Sequence, residues 1–107
     1  MVAAIWRIQE DSAGRWRDFP PGLANQTEQE FQQWVSEGAP PGYGFQYVWD
    51  NLEQTKFTEY SIIWPDDVDL VCVQDLILTC VQVNTKTSKR RAVQRIPIMP
   101  QRPREVN

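Results

Sequence analysis

Short apolar stretches, some alternating loosely with polar positions, recur along this chain, and one stretch repeats with the period of a helix. Ala3 to Gln9 alternates loosely around Ile5, Trp6 and Ile8 and predicts a first strand. Glu10 to Gly14 is turn material and Arg15 to Phe19 predicts a second short strand, so the two make a candidate hairpin. Pro20-Pro21-Gly22 ends it, since proline cannot donate to a ladder and glycine tolerates the bend. The helical stretch follows. Thr27 is an N-cap with Glu30 completing a capping box, and Glu28 and Glu30 suit the positive end of the helix dipole. Phe31, Trp34 and Val35 fall at i, i+3, i+4 on one apolar face, and Gly38, backed by Pro40-Pro41, is the stop. The period of two then returns. Phe45 to Trp49 and Phe57 to Trp64 predict strands, with Asn51 to Gln54 a turn or short helix between them. Pro65-Asp66-Asp67 is a turn. The chain is apolar and β-branched from Val68 through Val73 and again from Leu76 to Val83. Val81–Asn84 and Ala92–Ile96 flank a polar Lys/Thr/Ser segment and predict a closing β-hairpin.

One helix among several strands makes an α+β protein. At 107 residues it is one domain with a modest core, expected over residues 1–98. Residues 99–107, with Pro100, Arg102, Pro103 and Arg104, read as a flexible Pro/Arg tail. Five Trp is high for this length, and the bulk of each indole favours burial. Trp6, Trp16, Phe31 and Trp34 are the expected core, with Trp34 packing the helix on the sheet.

Charge changes the picture more than composition does. Residues 86–107 hold seven Lys/Arg against one acid, whereas residues 1–85 hold four basic and thirteen acidic residues. The net charge of −3 therefore hides a polarised molecule whose basic end can attract an anionic ligand. Duplex nucleic acid is disfavoured, because the acidic remainder would repel its phosphates. There is no His, which removes the commonest general base and every Ser-His or Cys-His nucleophile pair. No phosphate-binding loop or nucleophile-elbow motif is present, and Asp66, Asp67, Asp69 and Asp75 read as a solvated turn. Enzyme activity, a cofactor and a bound metal are therefore not expected. On one continuous strand Cys72 and Cys80 would lie about 26 Å apart at ~3.3 Å per residue, too far to bridge, so both are expected as free thiols in a reducing, intracellular setting. No stretch approaches a membrane span.

Three stretches together resemble the WWE domain, the small module named for two Trp and a Glu. The first is Trp6-Arg7-Ile8-Gln9-Glu10-Asp11 followed by Gly14-Arg15-Trp16-Arg17-Asp18-Phe19-Pro20. The second is the helix, whose Glu28 or Glu30 would be the named Glu. The third is Gln82-x-Asn84-x-x-Thr87-x-x-x-Arg91-x-x-x-Arg95, in the closing hairpin. The resemblance implies a half-open β-barrel or strongly curved, mostly antiparallel sheet with one helix packed on it. It also implies a non-catalytic module of ubiquitin ligases and ADP-ribosyltransferases that binds iso-ADP-ribose units of poly(ADP-ribose), or terminal ADP-ribose. Gln82 would hydrogen-bond adenine or an adjacent sugar and Arg91 would neutralise phosphate; Arg7 and Arg95 complete the expected ligand-binding set. The chain departs from the pattern at Arg7 and Arg15, where binders often carry aromatics, and near Val73, where a ligand-contacting Tyr would fall. Its segment 42–70 is enlarged, and Tyr43, Tyr47 and Tyr60 there are candidates to supply a ring. The second expectation, from the same departures, is a protein-interaction module whose pocket is degenerate.

Overall fold

The computed structural model describes residues 3–10, 14–50 and 57–98. Among them are β1 (Ala3–Gln9), β2 (Trp16–Asp18), α1 (Pro21–Ser36), β3 (Gly44–Asp50), β4 (Phe57–Ile63), β5 (Leu78–Asn84) and β6 (Arg90–Ile98). The turn or helix expected at 51–54 and the tail at 99–107 lie outside the described residues. The strands form one antiparallel sheet in the order β2-β1-β6-β5-β4-β3. The sheet is curved and unclosed, with α1 packed in its hollow, so the α+β architecture expected from the sequence is present. Its curvature can be read from two tryptophans. β1 and β4 are three strand spacings apart, about 14 Å in a flat sheet, yet the rings of Trp6 and Trp64 meet at 6.1 Å between centroids. No helix among the described residues is long and apolar enough to cross a membrane.

Register decides what faces the hollow. Directly paired residues point to the same side, and the pairings line Trp6, Arg95 and Leu78 in one row and Ile8, Val93 and Cys80 in the next. Arg91, Gln82, Ile62 and Phe45 form a third row, and Asn84, Tyr60 and Tyr47 a fourth. The helix covers the first rows. Phe31 meets Trp6 edge to face at 5.9 Å, and Trp34 stacks on Trp64 at 5.4 Å. Trp6, Phe31 and Trp34 are core residues as expected.

Four expectations are corrected. First, α1 begins at Pro21, not Thr27. Pro20-Pro21 is a helix start rather than a strand end, since a proline at N1 lacks only an N–H that the first turn leaves unbonded anyway. Thr27 is consequently interior and fully buried, its hydroxyl donating to the Leu23 carbonyl at 2.7 Å. The predicted stop is correct: Gly38 has φ +91°, and the N–H groups of Gly38 and Ala39 donate to the carbonyls of Val35 and Trp34. Second, Trp16 is not core. It pairs with Gln9, which puts it on the convex side, half-buried. Trp64, just past β4, takes its place among the buried rings. Third, the apolar run from Val68 to Val73 is a series of turns, not a strand. Asp69 organises it by accepting the Val71 N–H on its carboxylate at 2.9 Å and the Val73 N–H on its carbonyl at 2.8 Å. Cys72 lies in this turn and Cys80 in β5, and both are free thiols. Fourth, Val73 is buried in that turn and does not open the strand leading to Gln82.

Candidate functional site

α1 fills only part of the hollow. Beyond its first turn the concave face opens into a cavity of about 440 Å³, within the size range of small-molecule sites. Ile8 lines it from β1, Asp18 and Phe19 from the end of β2 and just beyond it, and Leu23 from the helix, while Tyr47 and Tyr60 line it from β3 and β4. Gln82 and Arg91 also line it and stand directly opposite each other on β5 and β6. Arg17, paired with Ile8, brings a second guanidinium to the same cavity.

The closing hairpin is built to hold this pair. Asn84 donates its N–H to the Lys89 carbonyl at 2.9 Å, and its side-chain oxygen accepts the N–H groups of Lys86 and Thr87. Such a side-chain cap fixes the turn and with it the register of the two strands. Lys86, Lys89 and Arg90 are exposed around the tip. On the opposite wall, Tyr47 and Tyr60 are cross-strand partners with rings stacked at 5.5 Å and 27°. Phe45 continues the ladder from Tyr47 to Trp64. Gln82 is buried and its side-chain N–H donates to the Tyr47 phenol oxygen. Burial pushes the Tyr47 phenol up to about 12, against the Gln82 hydrogen bond that lowers it, so the ring carries a neutral hydroxyl at any physiological pH.

Of the four residues expected to bind ligand, the structure brings two together. Arg91 and Gln82 share the cavity. Arg95 does not: its side chain is completely buried beneath α1, its Nε donating to Glu28 at 2.8 Å and a terminal nitrogen at 3.0 Å. It also donates to the Gln74 carbonyl at 3.2 Å and lies 4.4 Å over the Phe31 ring. A charge enclosed this way is a structural pin, inaccessible to ligand. Arg7 points to the convex side, where it donates twice to the Gln94 side chain and stacks over Trp16 at 4.6 Å. Sequence reasoning named Tyr47 and Tyr60 as candidates but could not place them, and it missed Arg17 and Phe19. The alternation of Trp6 and Ile8, carried through the β1–β2 pairing, is the signal that would have found Arg17. Among the described residues no group of three or more His, Cys, Asp or Glu is arranged to hold a metal.

Comparison of the chain with family models, with curated proteins and with solved structures returns no match in any of the three.

Proposed function

We propose that this domain is a non-catalytic reader of an ADP-ribose-type ligand, iso-ADP-ribose or a terminal ADP-ribose unit, held in the cavity lined by Gln82 and Arg91. The observation that carries the reading is the meeting, in one open cavity, of a buried amide, a guanidinium and a pair of stacked tyrosines. An amide can hydrogen-bond a base or sugar edge, a guanidinium suits a phosphate, and an aromatic wall suits a base. Arg17 adds the second positive charge that a diphosphate would use. Tyr47 and Tyr60 stand in for the aromatic residues that the resemblance to WWE domains leads one to look for. Of the two candidates for the named Glu, Glu28 accepts the Trp6 indole N–H at 2.9 Å, a Trp–Glu contact in keeping with that resemblance.

Calorimetric titration with iso-ADP-ribose and with ADP-ribose tests the proposal. Heat of binding that disappears in Arg91→Ala is the expected result. Absence of heat for both ligands at millimolar concentration would rule it out.

A further inference from the structure

The segment joining β4 to β5 carries chemistry that the cavity does not use. Residues 57–85 hold five acids and no Lys or Arg. In the middle of this acidic stretch Leu70, Val71, Leu76 and Ile77 are exposed, Val71 at 92%. The turn that presents them is anchored. Asp69 caps it from within, Val73 is buried beneath it, and the Asp75 N–H donates to the Cys72 carbonyl at 2.9 Å. Gln74 ties it to the helix through reciprocal amide bonds with Gln32 at 2.7 and 2.9 Å, and to β6 through Arg95. The apolar side chains are therefore held outward by a fixed scaffold. Beside them is a shallow cavity of about 260 Å³ reached by Val68, Leu76 and Asp67. Exposed apolar side chains carried on one anchored turn suit an interaction surface, and the four Asp interspersed with them in the sequence, two of which line that cavity, specify the sign of what covers it.

We propose that this turn is a docking surface for a cationic, amphipathic peptide segment of a partner protein. Apolar side chains of the peptide cover Leu70, Val71, Leu76 and Ile77, and its Lys/Arg residues face Asp66, Asp67, Asp69 and Asp75. A second copy of this chain is a poorer fit. Its concentrated positive charge, at Lys86, Lys89 and Arg90, surrounds Thr85, Thr87 and Ser88, which offer nothing apolar to bury. The surface is also separate from the nucleotide cavity. The turn precedes Leu78, and Gln82, the residue of β5 that lines the cavity, comes four residues later, about 13 Å along the strand. A peptide here would not displace a ligand there.

The test is an NMR titration of the labelled domain with two synthetic twelve-residue peptides. Both carry Leu at the same positions; one has Arg at the intervening positions and the other Glu. The expected result is saturable shifts of the amides of residues 66–77 with the Leu/Arg peptide, weakened by salt, while Gln82 and Arg91 stay unmoved. The double change Val71→Ser with Leu76→Ser, both exposed, should weaken binding at least tenfold without altering the melt. Asp67→Asn with Asp75→Asn should weaken it several-fold and flatten the salt dependence. Equal binding of the Leu/Glu peptide would overturn the proposal, as would no shift at millimolar Leu/Arg peptide. Concentration-dependent dimers that bury residues 66–77 would assign the surface to a second copy and overturn it too. Iso-ADP-ribose titration reads the other site, so the two proposals stand or fall separately.

Discussion

Arg91 and Arg95 sit four residues apart on the same face of the same strand, yet one lines the open cavity and the other is sealed under the helix. Nothing local separates them. Both belong to the basic end of the chain and both point into the hollow of the sheet. The difference is what stands across from each. Arg95 meets Glu28 on α1, together with the Phe31 ring and Gln74; Arg91 lies beyond the helix, beside Gln82 and the tyrosines. Whether a guanidinium on this strand is sealed or lines a cavity depends on whether a distant segment, here α1, covers it and excludes water.

The sharpest way to break this comparison is to remove the counter-charge. Glu28→Ala leaves Arg95 buried without its counter-charge and should cost about 3–5 kcal/mol, measured by denaturant unfolding. Replacing both members by apolar residues, Glu28→Leu with Arg95→Met, should recover most of that loss, because an ion pair taken out of water gains little net energy over good packing. A single mutant as stable as the parent would mean that Arg95 is not enclosed. The same pair sets an acid limb. Burial works to raise the Glu28 carboxyl, but hydrogen bonds from Arg95, Gln32 and Trp6 and the Arg95 charge outweigh it, leaving it below the ordinary 4.5. A carboxyl held low in the folded state adds stability above its unfolded pKa, and that contribution drains away as pH falls through the folded value. Melting temperature should therefore fall below about pH 4.5, and less steeply in Glu28→Gln.

Arg91→Ala probes the other side. It should weaken ADP-ribose binding by roughly 1.5–3 kcal/mol, the worth of a charge-assisted contact, while changing stability by no more than about 1 kcal/mol. The reverse outcome, lost stability with intact binding, would make Arg91 a second pin. Tyr47→Phe comes next. It removes the phenol that accepts from Gln82 and should cost about 0.5–1.5 kcal/mol in binding or stability. In an alkaline absorbance titration Tyr47 should ionise near pH 12. Its raised pKa contributes stability in full below the ordinary tyrosine value near 10, and that stability is lost as pH rises through 12. The smallest effect concerns the thiols. Burial pushes Cys80 up to about 12, so Cys72 should alkylate first, and a Cys80 that reacts at the same rate would show that the sheet opens readily.

The sheet was largely legible in the sequence. Alternation located β1 to its residue bounds and the flanks of the closing hairpin, because a strand with one buried face writes its register into period two. The helix start was not legible. Pro20-Pro21-Gly22 serves equally well as a strand end and as a first helical turn, and the buried face of the helix includes Thr27 in the next turn, whose hydroxyl disguises it as a cap. The candidate site was half legible. Gln82 and Arg91 are neighbours across a hairpin, so local pairing suffices to join them. Tyr60 and Tyr47 reach the same cavity through the pairing of β4 and β3 onto β5, a contact that for Tyr47 spans thirty-five residues, and the fate of Arg95 depends on a contact sixty-seven residues away. No local pattern encodes either.

The last of the described strands in chain order, β6, occupies the middle of the sheet. β2 and β1 lie on one side of β6 and β5, β4 and β3 on the other, and in the hydrogen-bonded ladder β6 is the strand that joins the two halves. While the chain is being synthesised, neither half has its inner neighbour until residues 90–98 have emerged. The N-terminal hairpin and the three-stranded meander must wait with unpaired inner edges and an uncovered helix face, the state in which nascent chains are most prone to associate wrongly. Once β6 inserts, it closes both edges and delivers Arg95 to Glu28 in a single event. Folding should accordingly be all-or-none, and a ribosome stalled short of residue 90 would hold two halves of a sheet that lack the strand pairing them.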